Sequence, residues 1–184
     1  MRRIIHFVHT SLDGFIEGPN GEFDWAVMTG KLSKYSLGLV GQADTFLYGR
    51  VVWEMMSGYW PEVESMSTHE HDLAFAPVWR KTPKVVVSSS LEQADWNTTV
   101  VNTVEAVGEL KQQPGGDILL TGGSTLAASL EDSGLLDERR IVVHPVLLGA
   151  GKRLFPENRK RRSVTLIESR PLDEHAVLLR HSLI

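Results

Sequence analysis

Apolar and polar positions along this chain follow two rhythms. Short, nearly unbroken apolar runs such as Phe46-Leu47-Tyr48, Val85-Val86-Val87 and Ile118-Leu119-Leu120 are strand-sized and read as strands buried on both faces. Between them lie stretches with apolar residues three and four apart, the spacing of helices that lay one face on a core. The pattern predicts strands at 3–10, 45–48, 84–88, 99–101, 117–121, 140–144, 163–169 and 176–183. It predicts helices at 31–41, 51–57, 104–112 and 124–133, with part of 70–81 helical inside an otherwise irregular region from 58 to 83. Alternation of this kind argues for an α/β fold with a mainly parallel sheet, helices on both faces, and ligands at the carboxyl ends of the strands. The last two strands, joined by the short Arg170-Pro171-Leu172-Asp173-Glu174 connection, predict an antiparallel hairpin at one edge.

Two junctions in this pattern carry chemistry. In Asp117-Ile118-Leu119-Leu120-Thr121-Gly122-Gly123-Ser124-Thr125-Leu126 a buried strand turns at once into a helix. Glycines there let a ligand lie against the backbone, and the first free N–H groups of the helix suit a phosphate or diphosphate. An ordinary strand-to-helix turn, with Gly for packing, is the alternative. Thr45-Phe46-Leu47-Tyr48-Gly49-Arg50-Val51-Val52 repeats the arrangement with a guanidinium at the helix start. A cation is unfavourable at that end of the helix dipole, and a phosphate forked by Arg50 would remove the conflict. A solvated Arg on a surface turn is the competing reading.

Composition narrows the choice of function. The 184 residues suit one domain spanning 1–184, with no linker, repeat or low-complexity tract, and 42% hydrophobic residues suffice for a core. No apolar stretch approaches the ~20 residues that cross a bilayer, and the N-terminus lacks a signal-peptide core, so the expectation is a cytoplasmic protein with no membrane partner. Nineteen Lys and Arg against 23 Asp and Glu give a net charge of -4, which disfavours a nucleic-acid partner. The basic run Arg159-Lys160-Arg161-Arg162 reads as a solvated loop or as a phosphate-binding patch. With no cysteine, the chain has no disulfide, thiol nucleophile or thiolate zinc site.

Taken in order, Ser11-Leu12-Asp13-Gly14, Gly49-Arg50, Val85-Val86-Val87-Ser88-Ser89-Ser90, Thr121-Gly122-Gly123-Ser124-Thr125-Leu126 and His144-Pro145-Val146-Leu147-Leu148-Gly149-Ala150-Gly151-Lys152-Arg153-Leu154-Phe155-Pro156 resemble the dihydrofolate reductase-like superfamily. More narrowly, the chain resembles the stand-alone relatives of the riboflavin-biosynthesis reductase (RibD C-terminal) domain, over nearly its whole length. The resemblance implies a three-layer α/β/α fold and an NADPH-dependent reductase that passes a hydride to a small heterocyclic, pterin- or pyrimidine-like, or carbonyl substrate. The zinc deaminase of the bifunctional riboflavin enzymes needs a P-C-x-x-C signature that this chain cannot supply, so only the reductase half is represented. By the same resemblance, Gly49, Arg50 and Val51 with Gly122, Gly123, Ser124, Thr125 and Leu126 hold the NADPH diphosphate. Ser88, Ser89 and Ser90 approach the adenosine ribose and its 2′-phosphate, and NADPH is favoured over NADH. Relatives commonly carry Thr where this chain has Val52, which removes one phosphate donor, on the order of 1 kcal/mol.

The proton donor is the open question. Folate reductases place a carboxylate on the helix after the first loop, but Lys31-Leu32-Ser33-Lys34-Tyr35-Ser36-Leu37-Gly38-Leu39-Val40-Gly41 has none, which argues against dihydrofolate. Asp13 stands where riboflavin-type reductases use a carboxylate near substrate, and is the catalytic candidate. Its competing role is to cap its own turn. Asp24 and Tyr35 are weaker candidates. His69, Glu70, His71 and Asp72 read as solvated rather than as a metal site. His6 and His9 fall on opposite faces of the first strand. Of the five tryptophans, Trp25 and Trp60 are candidates to line a flat pocket. A nucleotide-binding protein without turnover and a structural protein on an inherited fold stand as alternatives to the reductase. Apolar strand edges at Ile141-Val142-Val143 and Val177-Leu178-Leu179, together with the habit of the resembled reductases, predict a homodimer.

Overall fold

A computed structural model describes residues 1–28, 30–157 and 159–184. Its strands are β1 (Ile4–Ser11), β2 (Phe15–Glu17), β3 (Ala43–Gly49), β4 (Lys84–Val87), β5 (Thr98–Val101), β6 (Asp117–Thr121), β7 (Glu138–His144), β8 (Lys152–Arg153), β9 (Thr165–Leu172) and β10 (Ala176–Ser182). Its α-helices are α1 (Gly30–Val40), α2 (Arg50–Tyr59), α3 (Glu70–Lys81), α4 (Val104–Gln112) and α5 (Thr125–Asp132), with a 3-10 turn at Trp60–Ser65. Eight strands form one sheet in the order β5-β4-β3-β6-β1-β7-β10-β9. Strands β5 to β7 in that order are mutually parallel, and β10 and β9 close one side antiparallel. This is the three-layer α/β architecture that the alternating pattern predicts.

Both faces of the sheet are covered, which is why the central strands are apolar on every residue rather than every second one. On one face Leu32 and Leu39 of α1 and Phe75 and Trp79 of α3 pack on Ile5, Phe7, Phe46 and Tyr48. On the other, Val107 of α4 and Leu126, Ala127 and Leu130 of α5 pack on Ile4, Leu47, Ile118 and Leu120. Phe46, Tyr48 and Trp79 are fully enclosed. Truncating an aromatic side chain in such a position costs about 3–5 kcal/mol. No helix among the described residues is long and apolar enough to cross a membrane.

Several local expectations change. Helix α3 runs the full length of 70–81 with Pro77 inside it, and its flank carries the 3-10 turn rather than irregular chain. Strands β2 and β8 pair as a short antiparallel ribbon that the apolar pattern is too brief to announce. The segments 141–143 and 177–179 are not edges, because β7 lies between β1 and β10, and β10 lies between β7 and β9. The true apolar edge is β9, with Leu166 58% and Ile167 48% exposed. Arg159 and Arg162 fold back on the end of α5, where they meet Asp132 and Glu131, as suits cations at a helix C-terminus. Helix α1 is capped from far away. Asp173, in the turn between β9 and β10, accepts from the backbone N–H of Lys31 at 2.6 Å and of Leu32 at 3.4 Å.

Candidate active site

Parallel pairing of β3 with β6 sets the ends of these strands, and the starts of α2 and α5, side by side. The contact is close. A Cβ at Gly49 would lie 3.7 Å from Leu126 Cβ, and one at Gly123 would lie 3.3 Å from Val52 Cγ2. Gly122 and Gly123 adopt φ of 60° and 66°, a conformation that disfavours side chains. The structure thus brings Gly49, Arg50 and Val51 together with Gly122, Gly123, Ser124, Thr125 and Leu126. Neither helix start carries a side-chain cap. Thr103 caps α4 and Asp173 caps α1, while α3 is uncapped as well, so it is the pairing of two uncapped starts at the glycines that marks this place. Two fans of backbone N–H groups, each at the positive end of a helix dipole, therefore meet at a glycine cradle, a donor set that fits a diphosphate.

The cradle is braced from below by residues whose role the chain order does not announce. His6 Nε2 lies 3.0 Å from the Gly122 carbonyl, and Arg139 Nε donates to His6 Nδ1 at 3.2 Å while its NH2 reaches Glu131 on α5 at 2.9 Å. Accepting from Arg139 leaves the His6 proton on Nε2, where it donates to the carbonyl. Complete burial, then the neighbouring Arg139 charge, holds the His6 pKa down to about 3. A His inside a strand buried on both faces was the available signal, since an enclosed polar group needs partners. Thr121, next to the cradle, has the single enclosed side-chain polar atom without a hydrogen-bond partner among the described residues.

Beside β3, β4 delivers Ser88, Ser89 and Ser90 to the same edge. Ser88 is buried and its hydroxyl accepts from the N–H groups of Ser90 and Leu91, so it shapes the turn, while Ser89 and Ser90 are exposed. A single guanidinium nitrogen of Arg50, NH1, donates to both carboxylate oxygens of Glu54 one turn along its own helix, at 2.8 and 3.0 Å, with both partners exposed. An exposed pair of this kind contributes at most about 1 kcal/mol, so a phosphate could take the guanidinium at small cost.

Asp13 sits in the turn after β1, and its carboxylate is fully engaged. It accepts from Ser11 Oγ at 2.7 Å and from the N–H groups of Leu148 at 3.1 Å and Gly149 at 2.8 Å. The Ser11 hydroxyl, helped by those two amides, holds its pKa down to about 2. A carboxylate stabilised in its ionised form is a poor proton donor at neutral pH, and the geometry favours the turn role of Asp13, extended to a clamp on the 144–151 loop. Tyr35 accepts from Arg140 at 3.0 Å, and Asp24 is exposed.

Further along β1, side chains of β1, β7 and the 18–28 loop gather in an aromatic cluster around a histidine pair. His9 Nδ1 and His144 Nε2 are 2.9 Å apart, with Phe23 edge-on to His9 and Trp25 edge-on to His144. His6 and His9 do face opposite sides of β1, as the strand period requires. Trp60 lies elsewhere, packed on Phe75, so it does not share a wall with Trp25. His71 is buried rather than solvated and pairs with Ser33 Oγ at 2.9 Å, while His69 is exposed. A cavity of about 800 Å³ lies between the starts of α1 and α3, reaching from Gly30 and Ser33 to His71.

Comparison with known proteins follows the same line. The RibD C-terminal domain profile matches residues 2–178. The uncharacterized protein YyaP of Bacillus subtilis (strain 168) is 35% identical over 181 residues, 96% of this chain and 92% of the relative. A second uncharacterized protein of that organism, YwjB, is 29% identical over 162 residues, 85% of this chain and 84% of its own. Among solved structures, a Shewanella sp. PV-4 protein described as a riboflavin biosynthesis protein superimposes with a TM-score of 0.72 at 19% identity, covering 98% of each chain. The diaminohydroxyphosphoribosylaminopyrimidine deaminase/5-amino-6-(5-phosphoribosylamino)uracil reductase of Thermotoga maritima gives 0.68 at 13% identity, covering 98% of this chain and 56% of that one.

Proposed function

Because this chain belongs to the RibD C-terminal domain family, we propose that it is an NADPH-dependent reductase of a small heterocyclic or carbonyl compound. The paired, uncapped starts of α2 and α5 around Gly122 and Gly123 are the observation that carries this reading. The backbone N–H groups of Arg50 and Val51 and of Ser124 to Leu126 would hold the diphosphate, and Arg50 with Ser89 and Ser90 would receive the 2′-phosphate that separates NADPH from NADH. Bound there, the dinucleotide supplies a hydride. The chain's own residues supply the rest. Phe23 and Trp25 would pack beside the reacting group, Asp13 holds the loop at Leu148 and Gly149, and the His9–His144 pair presents hydrogen-bonding nitrogens. We place this activity in the cytoplasm.

Quenching of protein fluorescence by NADPH, followed by NADPH oxidation with a dihydropterin, an aminouracil and a quinone as acceptors, tests the proposal. Quenching with turnover of one acceptor is expected. Absence of quenching would refute the cofactor site. The Val52 methyl set 3.3 Å from the Gly123 Cβ position, where the resemblance implies a Thr hydroxyl, favours a second reading as a nucleotide-binding protein without turnover. Quenching without oxidation of any acceptor would select it.

A further inference from the structure

The reductase reading leaves the source of the proton open, since Asp13 is clamped and no carboxylate lies on α1. At the carboxyl ends of β1 and β7 stand two imidazoles instead. Pairing of β1 with β7 sets Ser11 against His144, which brings the His144 ring across to His9. With His9 Nδ1 only 2.9 Å from His144 Nε2, one proton must lie between them, because each neutral ring has one donor and one acceptor nitrogen. His144 is 3% exposed, whereas His9 is partly exposed. The hydrogen bond uses His9 Nδ1 and His144 Nε2, which leaves His9 Nε2 and His144 Nδ1 as the outward nitrogens of the pair.

We infer that His9 is the catalytic proton donor, giving its Nε2 proton to the heteroatom of the C=N or C=O bond as hydride reaches the carbon, and that His144 reloads it through the shared hydrogen bond. The inference rests on the reductase reading. A single neutral imidazole that gave up Nε2–H would be left as a costly anion. Here the His144 Nε2 proton passes to His9 Nδ1 in the same event, and His144 Nδ1 takes a proton from water. One hydride from the dinucleotide and one proton from solvent thus enter the substrate, and both rings stay neutral with their tautomers exchanged. Reversing the shared proton, with uptake at His9 Nε2 and release at His144 Nδ1, resets the pair.

Neutrality is built into the site. Burial, then the charges that His144 and His71 would present, keeps the His9 pKa down to about 3, and burial lowers that of His144. Around the pair stand the uncharged rings of Phe7, Phe23 and Trp25, and His71, itself lowered by burial, is the other titratable group that acts on it.

His144→Gln is the decisive variant, because its amide can keep the hydrogen bond to His9 Nδ1 but cannot carry a proton through. We expect NADPH quenching and melting temperature close to wild type, NADPH oxidation slowed by about 10²-fold or more, and loss of the solvent deuterium isotope effect. Added imidazole should restore part of the rate to His9→Ala. Nitrogen-15 spectra of histidine-labelled wild type read the protonation of each ring directly, whatever the folding of the variants. Both rings should be neutral at pH 6.5, with one proton shared between them. A charged ring, two outward protons, or an unchanged rate in His144→Gln would overturn the relay alone. Wild-type protein that fails to bind NADPH, or that oxidises it with none of the three acceptors, would overturn the reductase reading and the donor role with it.

Discussion

Acid should destabilise this protein through His6 well before its carboxylates titrate. The ring is completely enclosed, and protonation at Nδ1 would both destroy the acceptor for Arg139 and set two cations face to face. Its pKa is about 3 in the fold, against about 6.5 in the unfolded chain. Between those values the unfolded chain holds the extra proton, so stability rises with pH; the contribution is present above about pH 6.5 and is lost as pH falls. From pH 6.5 to 5 one such group removes roughly 1.5 kcal/mol, out of the 5–15 kcal/mol typical of a domain. Urea titrations across this range, read by tryptophan fluorescence, measure the slope. His6→Gln keeps a donor for the Gly122 carbonyl but does not titrate, so it should flatten the slope by about that amount. His9, His71 and His144, whose pKa values are lowered too, should leave a residual slope in the variant. An acid slope identical in wild type and His6→Gln would refute the assignment of His6 as a neutral brace.

Gly123→Val should abolish NADPH quenching and also cost stability, roughly 1–2 kcal/mol from the positive φ alone with crowding of Val52 added; unchanged affinity would remove the cradle. Arg50→Ala should weaken NADPH by about 1–3 kcal/mol and NADH much less, with little change in stability because its Glu54 pair is exposed; equal losses would assign Arg50 to the diphosphate. Asp13→Asn should speed amide hydrogen exchange at Leu148 and Gly149 while leaving the rate of NADPH oxidation near wild type, and a collapse of the rate with exchange unaltered would return Asp13 to proton donation. Light scattering should find a homodimer built on the β9 edge, with Leu166→Lys and Ile167→Lys together giving single chains; a wild-type mass of one chain would leave that edge uncovered.

Much of the architecture was legible because its signals are local. Apolar runs ending in Gly49 and Gly122 announce strands that stop at a helix, and their order alone places both cradle halves on one side of a parallel sheet. What escaped depends on register between distant segments. Nothing near His6 in the chain points to Gly122, 116 residues away, and nothing near His9 points to His144, 135 residues away. The edges were misplaced for a related reason: β7, β10 and β9 are all apolar enough to be an edge or an interior strand, and only the pairing decides. The two-residue β8 is too short for any periodicity to register. Asp13 shows the opposite case, a residue visible in the sequence whose two competing roles differ only in what its oxygens touch.

The Asp173 cap on α1 has a bearing on how a ribosome delivers this protein. Its hydrogen bond to Lys31 spans 142 residues, so the helix that walls the cavity goes without its cap until Asp173 has emerged. Loop closure over that span is entropically slow to arrive and must be followed by hairpin formation at the far end. During synthesis, the start of α1 and the cavity it lines would then be late to order, leaving Leu32 and Leu39 in search of apolar company in the meantime. A nascent chain stalled before Asp173 should be the species that chaperones hold and proteases cut first.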